Sequence, residues 1–197
     1  MNASSNSRRE IGTRENLLHE MQKGWRPTWL FFWGHQPAKN GFMTSSCFSQ
    51  WWSGHPFTVN SIRYATAEHY MMAEKARLFD DAGTLDSILE AKSAAVAKKL
   101  GRQVKGFDES RWLQARWGIV VQGNLAKFSQ HNELRDFLIQ TGDRVLVEAS
   151  PFDRIWGIGM AATTEGVENP ARWKGLNLLG FALMEVRHQM RAEAKIL

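Results

Sequence analysis

The chain has 197 residues, of which 43% are hydrophobic and 23% charged. These values are typical of one globular domain and exclude a disordered or fibrous chain. No apolar run approaches 18 residues, and the polar start Met1–Glu10 lacks the core of a signal peptide, which predicts a cytoplasmic, intracellular protein with no membrane partner. Cys47 is the single cysteine, so an internal disulfide and a cysteine metal cluster are excluded. The net charge of +5 suits an anionic partner such as a nucleotide, a phosphate ester or nucleic acid.

The first half of the chain predicts a short strand and a hairpin. The apolar run Thr28–Trp33 predicts a buried strand, and a loop follows over residues 34–47. Residues 57–59 and 62–64 flank Asn60-Ser61, which is typical of a β-hairpin turn. The segment before this region is polar, and we expect residues 1–25 to form an N-terminal arm with partial helical character.

Helical patterns dominate from Thr66 onward. The first predicted helix begins at Thr66. Further helices are predicted over residues 85–90, 94–100, 108–128, 132–140 and 175–190. Residues 145–149 predict one more strand, and residues 151–169 a loop. The sequence therefore predicts an α+β, mostly α-helical fold, with residues 26–197 as a single compact domain carrying a small antiparallel sheet.

The stretch Ala65–Phe79 places a carboxylate on an apolar helical face. Glu68 shares this face with Met71, Met72, Lys75 and Phe79. Burying a carboxylate is costly, so it needs a reason. One interpretation is structural: Thr66 caps the helix, and an acid in the first turn favours the helix dipole. The other interpretation is catalysis by Glu68.

The segment Asp153–Gly159 is the second unusual stretch. It places Asp153 three residues before Trp156, in a loop with two glycines after a predicted strand. Such loops commonly carry functional sites, and glycine lets a ligand approach the backbone. The alternative is a plain turn in which Asp153 caps local N–H groups. The third glycine of a dinucleotide-binding motif is missing, so a Rossmann site is not predicted.

Histidine and tryptophan content bears on ligands. The six histidines form no pair at metal-ligand spacing, and we predict no metal and no other cofactor. His69 points away from Glu68 on the helix and is interpreted as structural. The nine tryptophans could stack on bases, although core packing is the simpler explanation for any single one.

Motifs over about residues 31–187 resemble the NADAR family, also called YbiA-like proteins. The motifs occur in the family's order: Phe48-Ser49-Gln50, Tyr64 to Tyr70 with Lys75, Trp112, Leu125 to Phe128, Asn132 to Arg135, Asp153, Trp156-Gly157, Gly159, Asn177 to Gly180 and Leu183 to Arg187. The resemblance implies a compact, largely helical YbiA-like domain. It also implies hydrolysis of N-glycosidic bonds to ribose, because one branch of the family cleaves ribosylamine 5′-phosphates of riboflavin synthesis and another removes ADP-ribose from guanine in nucleic acid.

The resemblance also implies the site residues. The expected catalytic residues are Glu68, as general base or nucleophile at the anomeric carbon, Asp153, which binds ribose hydroxyls or assists proton transfer, and Lys75. Lys75 would bind phosphate or hydroxyls, or attack an opened ribose as a Schiff base. The expected substrate-binding residues are Trp33, Gly34, Gln50, Trp112, Trp156, Gly157, Gly159 and Asn177.

The chain departs from the shorter riboflavin-type members in two loops. The segments His35–Phe48 and Met160–Lys174 are longer, and longer loops could enclose a larger ligand. The prediction is therefore an N-glycosidase that removes ADP-ribose from ADP-ribosylated guanine, reversing the modification of DNA or RNA. Two alternatives stay open: a hydrolase of riboflavin intermediates, and a module that binds ADP-ribose or NAD without catalysis.

Overall fold

The structure is a computed structural model that describes residues 11–40 and 42–194. These residues form seven helices and four strands. In chain order they are α1 (Arg14–Gln22), β1 (Trp29–Phe32), β2 (Phe57–Val59), β3 (Ile62–Tyr64), α2 (Ala67–Leu78), α3 (Ala82–Leu89), α4 (Ala94–Gly101), α5 (Glu109–Ser129), α6 (Asn132–Gln140), β4 (Val145–Glu148) and α7 (Leu178–Glu193). Across this part of the chain, no helix is both long and apolar enough to cross a membrane.

The strands form two small sheets rather than one. β2 and β3 pair as the expected antiparallel hairpin. β1 instead pairs with β4 in parallel, with Trp29 opposite Val145 and Phe32 opposite Glu148. The sequence predicted an antiparallel sheet alone, and this parallel pair was missed. A parallel pair needs a long crossover, and here the hairpin and helices α2 to α6 supply it.

Apolar side chains form two core clusters. The larger one gathers buried residues of α2, α5 and α7, including Tyr70, Val120 and Leu183. The smaller one lies on β4 and includes Leu17, Val147 and Phe181. Leu17 of α1 is fully buried, so this helix packs against the domain. The division of the chain at residue 25 stays a prediction.

Several helix boundaries follow from capping side chains. Ser93 Oγ accepts a hydrogen bond from the backbone N–H of Val96 at 3.3 Å, as the sequence predicts for the start of α4. α3 begins before the predicted residue 85, because Asp81 caps it by accepting from the Thr84 N–H at 3.1 Å. α7 begins later than predicted, after Asn177, whose φ of 57° is left-handed.

Candidate active site

The candidate site lies where the parallel strands β1 and β4 end. Glu148 is the last residue of β4 and pairs with Phe32, the last residue of β1. Trp33 and Gly34 follow β1, and the loop with Asp153 and Trp156 follows β4. Because the strands are parallel, both chain segments leave the sheet at the same edge, where α/β proteins commonly place ligands. The unexpected parallel pairing therefore brings two separately predicted groups of residues together.

Glu68 is buried in the first turn of α2. Its residue is 2% exposed, and its Oε1 has no hydrogen-bond partner among the described residues. Burial raises the pKa of Glu68 to about 7, opposed by the charge of Lys98 and by a hydrogen bond from the side chain of Trp51. Thr66 supplies the helix cap by accepting from the His69 N–H. A buried carboxylate with an unpaired oxygen is not accounted for by capping alone, and it can exchange a proton near neutral pH.

Glu148, a half-buried residue that the sequence pattern did not single out, is the second carboxylate of the site. Its Oε2 also lacks a partner among the described residues. Burial raises the pKa of Glu148 to about 8, and the negative charges of Asp153 and Glu68 contribute to the shift. The available signal was a glutamate that ends an otherwise apolar strand, Val145-Leu146-Val147-Glu148. Because burial raises the pKa of both carboxyls and the charge of Glu68 raises that of Glu148, the pair can hold one proton and one negative charge near neutral pH.

Asp153 lies near both glutamates, and one of its carboxyl oxygens caps its own loop, while a catalytic role for it stays a prediction. Its Oδ1 accepts from the backbone N–H groups of Ile155 and Trp156, both at 2.8 Å. This is the turn-capping arrangement that the sequence left open as an alternative. The charge of Asp153 also raises the pKa of Glu68 and of Glu148. Asp153 therefore shapes the loop and the electrostatics of the site.

Lys75 and Trp112 form a separate group. The Lys75 amine donates to the Gly101 carbonyl at 2.8 Å and lies 4.2 Å from the Phe107 ring centroid and 5.7 Å from that of Trp112. Burial lowers the pKa of Lys75. The amine whose charge acts on the glutamates is that of Lys98, a residue that the sequence pattern did not single out. A catalytic role for Lys75 and substrate binding by Trp112 stay predictions.

Gln50 and Asn177 hold the two glutamates in position. The Gln50 carbonyl accepts from the Glu68 N–H at 2.9 Å, and its side-chain oxygen accepts from Asn124 at 2.9 Å. Asn177 Oδ1 accepts from the Glu148 N–H, and its Nδ2 donates to the Leu146 carbonyl, both at 2.9 Å. These polar groups are engaged within the fold. Both residues therefore support the segments that carry the carboxylates, and substrate binding by either one stays a prediction.

Gly157 and Gly159 are buried where the loop packs closely. Gly159 has a φ of +63°, which favours glycine. A methyl group added at Gly157 would lie 2.9 Å from the Glu148 carbonyl oxygen and 3.0 Å from that of Asp153. Gly157 is therefore required for the packing that brings the Glu148 and Asp153 segments together.

We expect Gly157→Ala to destabilise the protein by about 1–3 kcal/mol, because backbone atoms on both sides must move. Urea unfolding followed by circular dichroism measures the change. Gly118→Ala is the matched control: Gly118 is exposed in α5 with nothing near its added methyl, so alanine should leave stability equal or slightly higher. Equal stability of the two variants would show that the Gly157 packing is not tight.

A cavity of about 890 Å³ lies beside the first turn of α2, which carries Glu68. Trp51 links them, because its ring lines the cavity and its side chain hydrogen-bonds to Glu68. Basic side chains and the first turn of α4 contribute to the wall. Its lining includes His35, Arg63, Lys92, Ser93, Ala94 and Ala95. Basic groups beside a helix N-terminus favour an anionic ligand.

His69 also lines this cavity, and its ring is held by two neighbours. Its Nδ1 lies 2.8 Å from Thr66 Oγ1, and its Nε2 lies 3.0 Å from the Ala91 carbonyl oxygen. Burial lowers the pKa of His69, which favours the neutral ring. These contacts support the structural interpretation of this histidine.

Comparison with known proteins agrees with the fold and the motifs. A model of the NADAR domain matches residues 31–191. N-glycosidase R617 of Acanthamoeba polyphaga mimivirus is 39% identical over 170 residues, covering 82% of this chain and 95% of that protein. N-glycosidase YbiA of Escherichia coli strain K12 is 32% identical over 148 residues, covering 75% of this chain and 81% of that protein.

A solved structure supports the same conclusion. The NMR structure of the Escherichia coli protein YbiA matches with a TM-score of 0.68 and 29% sequence identity, covering 86% of this chain and 89% of that chain. The expected mostly helical α+β fold is thereby confirmed. The family model spans most of this chain, and the relatives are matched over most of their own length. The chain therefore belongs to the NADAR family.

Proposed function

We propose that this protein is an N-glycosidase that hydrolyses a bond between ribose and nitrogen, with ADP-ribose on guanine in nucleic acid as its substrate. The observation that carries the proposal is the pair Glu68 and Glu148, each with one buried carboxyl oxygen that has no partner among the described residues. Glycoside hydrolysis commonly uses two carboxyl groups in different protonation states. Relatives of this chain named N-glycosidases support the reaction class.

The two glutamates divide the reaction between them. Glu148, protonated at neutral pH, donates its proton to the departing nitrogen as the C–N bond breaks. Glu68, ionised, stabilises positive charge on the anomeric carbon and takes a proton from the attacking water. The products are the free ribosyl hydroxyl and the base with a new N–H. The proton gained by Glu68 and the one lost by Glu148 are then exchanged with solvent.

Lys98 balances the charge of this centre. Its ammonium lowers the pKa of both glutamates, against the effect of burial. Lys98 also lies 5.7 Å from the ring centroid of Trp51, which itself hydrogen-bonds to Glu68. This arrangement helps to keep the buried Glu68 ionised.

The adjoining cavity supports a phosphate-bearing substrate. Its volume of about 890 Å³ is in the range of sites that hold ligands of nucleotide size. Arg63 and Lys92 in its wall provide cations for phosphate groups. A net charge of +5 suits a substrate carried on nucleic acid.

The test is release of ADP-ribose from an oligonucleotide that is ADP-ribosylated on guanine, followed by liquid chromatography and mass spectrometry. Ribosylamine 5′-phosphate intermediates of riboflavin synthesis are assayed in parallel, and ADP-ribose binding is measured by calorimetry. We expect release of ADP-ribose and recovery of intact guanine in the oligonucleotide.

Each other result selects an alternative. Turnover of the ribosylamine phosphates alone would assign the protein to small metabolites and overturn the nucleic-acid substrate. Binding of ADP-ribose without turnover of any N-glycoside would indicate a binding module and overturn the enzymatic proposal.

A further inference from the structure

An exposed aromatic pair lies at the edge of the candidate site, and the mechanism does not use it. Trp33 is 57% exposed and Phe152 is 86% exposed. Their ring centroids are 6.4 Å apart, and the ring planes meet at 53°. Two large aromatic rings that contact each other and still face solvent leave substantial apolar area uncovered, which is typical of a binding surface.

The fold holds both rings close to the glutamates. Trp33 directly follows Phe32, which pairs with Glu148, and Phe152 directly precedes Asp153. Ser150 Oγ accepts from the N–H groups of Phe152 and Asp153, at 3.4 and 3.2 Å. The exposed rings are therefore carried by hydrogen-bonded backbone next to the reacting centre.

Exposed cations lie beside the same loop. Arg154 and Lys174 are both exposed, and side-chain atoms of both lie 3.1 Å from the position of a methyl group on Gly159. The Leu176 N–H donates to the Arg154 carbonyl at 3.0 Å, which ties the two segments together. The first carbons of two exposed basic side chains are thus held next to the loop that carries Phe152.

We propose that an unpaired base of a single-stranded nucleic acid stacks on the exposed ring of Phe152 beside Trp33, while Arg154 and Lys174 contact the phosphates beside that base. Proteins that bind single strands combine aromatic stacking with cations along the backbone. Each nucleotide presents a flat ring and an anion, so one ligand satisfies both halves of this surface. The inference rests on the proposed function, because the strand would carry the modified nucleotide to Glu68 and Glu148.

Fluorescence anisotropy with a labelled oligothymidylate measures this binding without any turnover. Phe152→Ala should raise Kd by about five-fold or more, since loss of one stacked base usually has at least this effect. Phe42→Ala is the matched control, because Phe42 is 72% exposed but lines a different cavity, with Phe137 and Glu133. It should leave Kd unchanged.

The salt dependence tests the two cations. Each lost phosphate contact should reduce the slope of log K against log salt by about 0.7 for a single strand. A double variant that combines Arg154→Gln and Lys174→Gln should therefore reduce the slope by about 1.4, by the same relation. Lys105→Gln, an exposed lysine after α4, is the charge control and should leave the slope as it is.

Three results would overturn the inference. The first is an equal Kd for wild type and Phe152→Ala, with folding checked by circular dichroism. The second is competition by free ADP-ribose with an equal loss of ADP-ribose affinity in Phe152→Ala, which would place the substrate's own adenine on the rings. The third is a Phe152→Ala variant that loses binding to anionic vesicles but binds oligothymidylate as the wild type does. Failure of the proposed function would give a different result from failure of this inference: the protein would show no turnover but would still bind the oligonucleotide.

Discussion

Glu68→Gln should lower kcat by about 10² to 10⁴-fold, the usual contribution of a positioned acid or base. Glutamine keeps the shape of the side chain but can neither accept a proton from water nor stabilise positive charge on the anomeric carbon. Since Glu68 is 2% exposed, water cannot replace the lost carboxylate easily. Single-turnover measurement of ADP-ribose release on the modified oligonucleotide reports the chemical step directly.

The stability of the same variant separates chemistry from misfolding. The folded-state pKa of Glu68 is about 7, above the ordinary value of 4.5, so the folded protein loses stability relative to the unfolded chain as pH rises from 4.5 to 7. Glu68→Gln should therefore leave the free energy of unfolding at pH 8 unchanged or raise it by up to about 3 kcal/mol. Full turnover by Glu68→Gln would contradict the assignment of this residue. Lost turnover with lost stability would instead indicate a structural role.

Local sequence patterns predicted most of the helices and the hairpin, and the reason is visible in the structure. The predicted and observed hairpin strands coincide at residues 57–59 and 62–64. Ser93 and Asp108 cap the helices that they were expected to begin. These features depend on residues within one or two turns of each other. The β1–β4 pair joins residues more than 110 positions apart, and nothing local indicates it.

The candidate site was predicted in the same partial way. Glu68 was found because a carboxylate on an apolar helical face is anomalous within one element. Glu148 and Lys98 were missed, because their importance arises from the parallel pair and from the packing of α4 beside α2. Helical spacing placed Lys75 on the same face as Glu68, and in the structure its amine contacts Gly101 and Phe107. A shared face along one helix does not determine which neighbouring elements a side chain meets.

Glu148→Gln should remove the proton donor and with it the alkaline limit of activity. In the wild type, kcat/KM should rise as Glu68 ionises near pH 7 and fall as Glu148 loses its proton near pH 8, which gives a narrow bell. In Glu148→Gln, we expect kcat/KM to be about 10² to 10⁴-fold lower and the fall near pH 8 to be absent. The pH–rate profile between pH 5 and 10 measures both effects.

A substrate with a better leaving group distinguishes proton donation from general damage to the site. The nitrophenolate group leaves a nitrophenyl riboside without being protonated, so Glu148→Gln should lose far less activity on this substrate than on the guanine adduct. Glu68→Gln should lose activity on both substrates. Glu165→Gln, at an exposed glutamate in the loop before α7, is the matched control and should behave as wild type. Equal losses for Glu148→Gln on the two substrates would contradict its role as acid.

Asn177 positions Glu148, because its side-chain oxygen accepts a hydrogen bond from the Glu148 backbone N–H at 2.9 Å. Asn177→Ala should therefore lower activity on both substrates and leave the fall near pH 8 in place.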